Sequence, residues 1–238
     1  MTNLASIYFS EGKYAQAEAL GSQTLESMRK VLGPNHPDAV WRMNNLACVY
    51  SVEGKYTQAE ALFNKALEYR RRVLGPEHPG TLSTLSDMAS MFQRQGKYAQ
   101  AENYAAQATA GRVHSAGKED PDTLAVEADL VLAYYSQGKF AQAEPLAREI
   151  VDIQQKKQPD DWQRFRAESL LGTVLAGQKK YSEAEPLLEG GYRGMMERKT
   201  KIAVPDQYHL DRAHDWIVAL YRAWGKPAMV AKWNLKQS

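Results

Sequence analysis

Apolar residues along this chain recur three and four positions apart, in bursts divided by short polar or glycine-containing breaks. One burst carries Val40, Met43, Leu46, Ala47 and Tyr50. That spacing gathers them on one face and predicts a helix over 37–53. Gly54-Lys55 interrupts it. Tyr56, Ala59, Leu62, Phe63, Ala66, Leu67 and Tyr69 then set out a second amphipathic helix over 56–74. Gly75-Pro76 ends that one, since glycine tolerates the left-handed C-terminal conformation and proline cannot continue the helix. The same pair of patterns returns over 79–95 and 98–115, over 121–137 and 140–156, and more loosely over 161–176 and 181–198. A polar linker at Lys199-Thr200-Lys201 precedes a last long helix predicted over 205–224, with a short helical tail over 228–236. At the other end, Leu4, Ala5 and Tyr8 stand where Leu46, Ala47 and Tyr50 stand one repeat later, which places Met1 inside a helix.

The breaks repeat as faithfully as the helices. Gly12-Lys13-Tyr14-Ala15-Gln16-Ala17-Glu18 returns from Gly54 with Thr57 for the first alanine, from Gly96 unchanged and from Gly138 with phenylalanine for tyrosine, 42 residues apart each time. A fifth copy from Lys180 lacks the glycine, and a sixth, Gly225-Lys226-Pro227, is a stub. A fixed period of this size predicts an array of stacked units rather than one globular core. The loops repeat as well, Leu32-Gly33-Pro34-Asn35-His36-Pro37 matching Leu74-Gly75-Pro76-Glu77-His78-Pro79. Their closing prolines suit the first turn of a helix, where a missing amide hydrogen costs nothing. We call the first helix of each pair A and the second B. Ala17, Ala59, Ala101, Ala143 and Ala184 share one B position, and Ala5, Ala47, Ala89 and Gly172 share one A position with Val131 as the exception. Small residues at both predict that these positions meet and set the A–B distance, with enlargement costing ~1–3 kcal/mol. The glutamate after each B-helix alanine suits the positive end of the helix dipole.

This pattern of small residue, tyrosine, glycine, aromatic and alanine resembles the tetratricopeptide repeat. The 42-residue period, the Asn44-Asn45-Leu46-Ala47 phrase and the Leu-Gly-Pro-x-His-Pro loop are similar to its kinesin light chain subtype. The resemblance covers residues 1–198 well and the remainder loosely. It implies an all-α fold, a right-handed α-α superhelix of about five helix-turn-helix repeats (1–34, 35–76, 77–118, 119–159 and 160–198) in one domain, closed by a terminal helical unit over 199–238. It implies no catalytic residues and no cofactor, and a concave groove, lined by A helices, that binds a peptide or partner segment. Carried over position by position, the groove falls on Trp41, Asn44, Cys48 and Ser51 in the second repeat and on Ser86, Ser90, Gln93 and Arg94 in the third. It falls on Leu132 and Tyr135 in the fourth and on Arg166, Ser169 and Thr173 in the fifth. Trp41 and Tyr135 offer apolar anchors, and Arg94 and Arg166 offer charged contacts, so the expected ligand is an extended segment with an acidic and an apolar residue. The same face suits a regulatory peptide receptor within a larger signalling protein.

Composition narrows the alternatives. A net charge of +2 gives no reason to expect nucleic acid or an anionic membrane as partner. A single cysteine, Cys48, forbids an internal disulfide and suits a reducing compartment, which points to the cytoplasm. No apolar run approaches a membrane span. The Gly-Lys pairs lack the following Ser or Thr and the earlier glycine of a phosphate loop. His36 and His78 occupy equivalent loop positions, and His209 and His214 are five apart and share no helix face, so a metal site is not expected. The aromatic residues crowding the C-terminal end read as a closing unit rather than a ligand pocket. At the N-terminal edge, either an upstream repeat precedes the first helix or the exposed apolar edge meets another chain, a route to self-association.

Overall fold

The computed structural model describes residues 2–235. Among the described residues it contains α1 (Thr2–Ser10), α2 (Tyr14–Leu32), α3 (Pro37–Val52), α4 (Tyr56–Val73), α5 (Pro79–Arg94) and α6 (Tyr98–Ala116). These are followed by α7 (Pro121–Ser136), α8 (Phe140–Lys157), α9 (Trp162–Gly177), α10 (Tyr181–Glu197), α11 (Tyr208–Ala223) and α12 (Pro227–Asn234). No strand occurs among the described residues, so the fold is all-α, built from helical hairpins. The helices group into two compact units, Met1–Val126 and Glu127–Ser238, the division falling inside α7. In the first unit each helix from α1 to α6 packs on the next, and α3 also touches α5. In the second, α8 to α12 do the same, and α9 also touches α11.

The helix pairs follow the apolar period to within a residue or two at each end. The exception is the last A helix, which begins at Tyr208 rather than Pro205. Short 3-10 turns at Lys199–Lys201 and Val204–Asp206 take up the intervening chain. Ile202 between them is buried with Phe165, Met195, Leu210 and Ala213, which pins the connection against the core. His36 and His78 have a helical role that the sequence did not reveal. Each ring Nδ1 accepts the backbone N–H two residues on, at 3.2 and 3.0 Å, and so caps α3 and α5. Asp120 and Asp161 do the same work for α7 and α9.

The A–B contact forms where small residues predicted it. Ala17, Ala59, Ala101, Ala143 and Ala184 are all buried, as are Ala47, Ala89 and Val131. A Cβ added at Gly172 would lie 3.1 Å from the backbone oxygen of Ala184, so the two positions meet directly in that hairpin.

The glycine-lysine phrase is a helix stop that also holds an aromatic ring. Gly54 adopts φ +76°, and the Lys55 N–H reaches back to the carbonyl of Tyr50 at 2.8 Å. This is the six-to-one bond of a Schellman stop. The Lys55 ammonium then lies 5.7 Å from the centroid of the Tyr50 ring. Lys13 over Tyr8, Lys97 over Phe92, Lys139 over Tyr134 and Lys226 over Tyr221 repeat the arrangement at 5.7–6.0 Å. The fifth elbow keeps the geometry without the glycine. Lys179 takes φ +65°, and Lys180 N–H still bonds to Leu175 at 2.9 Å. A side chain in that region costs about 1–2 kcal/mol. Lys179→Gly should therefore raise stability by about 1 kcal/mol, checked by urea titration against the parent. The sixth copy is a complete elbow too, with Gly225 at φ +74° and Lys226 N–H on Tyr221 at 2.9 Å.

The recurrent glutamate does more than suit the dipole: it links hairpins within a unit. Glu18 receives Lys55 at 2.6 Å, and Glu144 receives Lys180 at 2.9 Å. Glu144 also accepts from Arg148 at 2.7 Å and Gln178 at 2.8 Å. The Lys180 and Arg148 hydrogen bonds pull its carboxyl down from the usual carboxylate range to about 2. A depressed carboxyl stabilises the fold above its unfolded pKa near 4.5, and the benefit disappears as pH falls towards 2. Glu144→Gln should cost about 1 kcal/mol at neutral pH, a figure reduced for solvent screening. Its deficit against the parent should vanish between pH 4.5 and 2 in acid titrations of both proteins.

Candidate partner-binding face

In the first unit the candidate residues divide into presented and enclosed ones. Trp41 on α3 is 41% exposed, whereas Asn44 and Ser51 on the same helix are buried. Trp41 and Cys48 border an apolar cleft of about 320 Å³ between α1, α2 and α3. Ala5 and Phe9 line it from α1, Gly21 from α2 and Val49 from α3. Its size suits one or two apolar side chains of a partner. Ser86, Ser90, Gln93 and Arg94 lie half-buried along α5. The Ser86 hydroxyl is turned back onto the Leu82 carbonyl at 3.0 Å, which occupies its hydrogen in the helix itself.

Asn44 is a structural node rather than a presented amide. Its side-chain nitrogen donates to Asp87 at 2.7 Å, and its oxygen accepts from Thr84 at 2.9 Å and from Arg70 at 3.4 Å. Arg70, buried on α4, also donates to the Gly80 carbonyl at 2.7 Å and the Thr84 hydroxyl at 2.6 Å. Burial raises the Asp87 carboxyl above its ordinary range, against the lowering pull of hydrogen bonds from Asn44 and Cys48 and of the Arg70 charge. Burial likewise pushes the Cys48 thiol well up, and the Asp87 carboxylate adds to it. Cys48 is therefore a neutral thiol at physiological pH and a poor nucleophile. The network ties α3, α4 and α5 together. Arg70 and Asp87 were missed in the sequence, although an acid between Leu85 and Met88 on an A helix was a signal that it needed a buried partner.

In the second unit Tyr135 is half-buried, 5.9 Å from the Phe140 ring and 6.3 Å from the Trp216 ring of α11. Leu132 is buried beside it on α7. Arg166 donates to Asp129 at 2.8 Å with only 12% of its side chain exposed, so its charge is met within the unit. Thr173 is buried, and Ser169 is buried facing Gly191 of α10. These two positions lie inside the packing. Of the C-terminal aromatic residues, Tyr221 and Trp233 are buried. Tyr192 packs edge-on to Trp233 at 5.4 Å, and the His214 Nε2 lies 3.0 Å from the Trp233 carbonyl. Among the described residues no helix is long and apolar enough to cross a membrane, and no group of three or more His, Cys, Asp or Glu could hold a metal ion.

Comparison with known proteins agrees with this architecture. Profiles of the tetratricopeptide repeat match residues 1–68 and 49–112, and a second such profile matches residues 87–161. No curated protein matches the sequence significantly. Among solved structures, a Podosopora anserina kinesin light chain protein with nearly identical TPR-like repeats is 25% identical, with a TM-score of 0.70 over 84% of this chain and 95% of that one. BtubC (BKLC) from P. vanneervenii is 17% identical, with a TM-score of 0.68 over 92% of this chain and 87% of that one. PilF of Pseudomonas aeruginosa is 18% identical, with a TM-score of 0.61 over 98% of this chain and 87% of that one.

Proposed function

Because the chain belongs to the tetratricopeptide repeat family, we propose that it is a non-catalytic interaction module, one array of repeats that holds a partner segment on its A-helix face. Tetratricopeptide repeats mediate protein–protein interaction. The observation that carries the reading further is the apolar cleft beside the exposed Trp41. An apolar side chain of the partner fills it and stacks against the indole, giving the buried anchor on which such contacts depend. Within the first unit, half-buried Ser90, Gln93 and Arg94 lie on the same A-helix face; in the second unit Tyr135 is the apolar candidate. With Arg166 committed to Asp129, the reading rests on the apolar cleft beside Trp41. A single cysteine suits a reducing compartment, and the module works in the cytoplasm.

The test is affinity capture from native cell extract with the intact chain and with Trp41→Ala, Arg94→Ala and Tyr135→Ala combined. The reading predicts at least one partner retained by the first and lost by the second. Identical partner sets would remove the A-helix face as the binding surface.

A further inference from the structure

A second cleft lies on the other side of α3, in the first unit, and its chemistry differs. It encloses about 460 Å³ where the end of α2, the loop into α3 and the middle of α4 converge. Arg29, Lys65 and Arg72 line it with Asn35, Glu68 and Tyr69. Among the described residues none of these three cations enters an ion pair, and the Arg29 Nε is shielded from solvent with no hydrogen-bond partner. Three cations beside the single carboxylate of Glu68 leave the cleft with a net positive charge that favours an anion.

The repeat supplies its own control. One period on, Arg71 stands for Arg29, Glu77 for Asn35, Gln107 for Lys65, Gly111 for Tyr69 and His114 for Arg72. There every group is answered internally. Arg71 donates to Gln107 at 2.7 Å, and His114 meets Glu77 at 2.9 Å. Leu82 fills the room left by Gly111, where an added Cβ would fall 2.4 Å from the leucine side chain. In the earlier repeat, lysine in place of glutamine and asparagine in place of glutamate remove both internal partners. The hollow stays open and keeps a net positive charge.

We propose that this cleft binds an acidic peptide segment of a partner protein, at a surface separate from the Trp41 face. Arg72 and Glu68 continue into a neighbouring hollow of about 500 Å³ with Asn64, Arg71 and Tyr104, so the charged track is longer than a single anion requires. Glu68 borders both hollows. A phosphate backbone would meet it with like charge. A peptide places an amide N–H opposite it and its own carboxylates opposite Arg29, Lys65 and Arg72. The inference rests on the chain being a partner-binding module but uses none of the residues that line the first cleft.

The probe is a fluorescein-labelled hexaglutamate peptide, followed by anisotropy at low salt. Two altered proteins accompany the parent: Asn35→Glu with Lys65→Gln, which installs the internal partners of the next repeat, and Arg72→Glu at an exposed position. Saturable binding by the parent that falls at least tenfold in both and weakens as salt rises is the predicted result. Binding unchanged by Trp41→Ala separates this site from the A-helix face. No saturable binding by the parent, or equal binding by the altered proteins, overturns the proposal. So does a single-stranded oligonucleotide that binds the same cleft more tightly than hexaglutamate.

Discussion

Gly191→Ala lowers the stability of the second unit by about 3 kcal/mol, while Gly190→Ala, its neighbour on α10, raises it by about 0.5–1 kcal/mol. The opposite signs follow from what a methyl group meets at each place. At Gly191 it would lie 2.5 Å from the Phe165 carbonyl oxygen, 2.8 Å from the Ser169 amide nitrogen and 2.3 Å from the Ser169 hydroxyl. Two of those three atoms are backbone of α9 and cannot turn aside, so α9 and α10 must separate. Separation takes Leu188 and Met195, both fully buried, away from the contacts they make. At Gly190 nothing stands within 4 Å, and only the helix propensity of alanine remains. Chemical denaturation of the two variants measures the energies. Hydrogen exchange should place the new opening of Gly191→Ala in α9 and α10, since arrays open locally. Equal effects at the two glycines would mean that the close approach of these helices is not what holds them.

Arg70→Met removes the centre of the buried network in the first unit and should cost about 3 kcal/mol at neutral pH. The guanidinium serves the Gly80 carbonyl, the Thr84 hydroxyl and the Asn44 oxygen at once. Its loss leaves those acceptors short of a donor and leaves the half-buried Asp87 without the charge that favours its ionised form. The sign of the pH effect follows. The Asp87 carboxyl, already raised by burial, rises further in the variant. A group whose folded pKa lies above its unfolded value adds stability below the unfolded value and loses that contribution as pH rises through the folded one. The deficit of Arg70→Met against the parent should thus be largest at neutral pH and shrink as the medium is acidified. Stability curves at several pH values test this, and a deficit that grew on acidification would place the cost elsewhere.

Much of the fold was legible because the repeat states each local decision several times. Gly54 and its equivalents mark the stops, Ala59 and its equivalents mark the close contacts, and both kinds of residue act where their own letters stand. What stayed hidden depends on pairs. Lys179 read as a missing glycine, yet the backbone bond from Lys180 to Leu175 holds the elbow whatever the side chain. Glu18 and Glu144 read as dipole partners because their lysines, Lys55 and Lys180, lie in the next repeat. The site was harder for the same reason. Transfer of positions along the period treats Trp41, Asn44 and Ser169 alike, yet Trp41 is presented, Asn44 is held by Asp87, and Ser169 faces Gly191. Which of these happens is decided by residues on a neighbouring helix, and no period of the A helix reports them. The cleft beside Trp41 is likewise made by α1, α2 and α3 together, so no single repeat contains it.

The most direct test of the A-helix face as the binding surface is photo-crosslinking of the captured partner. Benzoylphenylalanine replaces Trp41 in one protein and Gln100, exposed near the start of α6, in another. A covalent partner product is expected from position 41, mapping to a short segment around one apolar residue, and none from position 100. Crosslinks from position 100 with none from position 41 would contradict it.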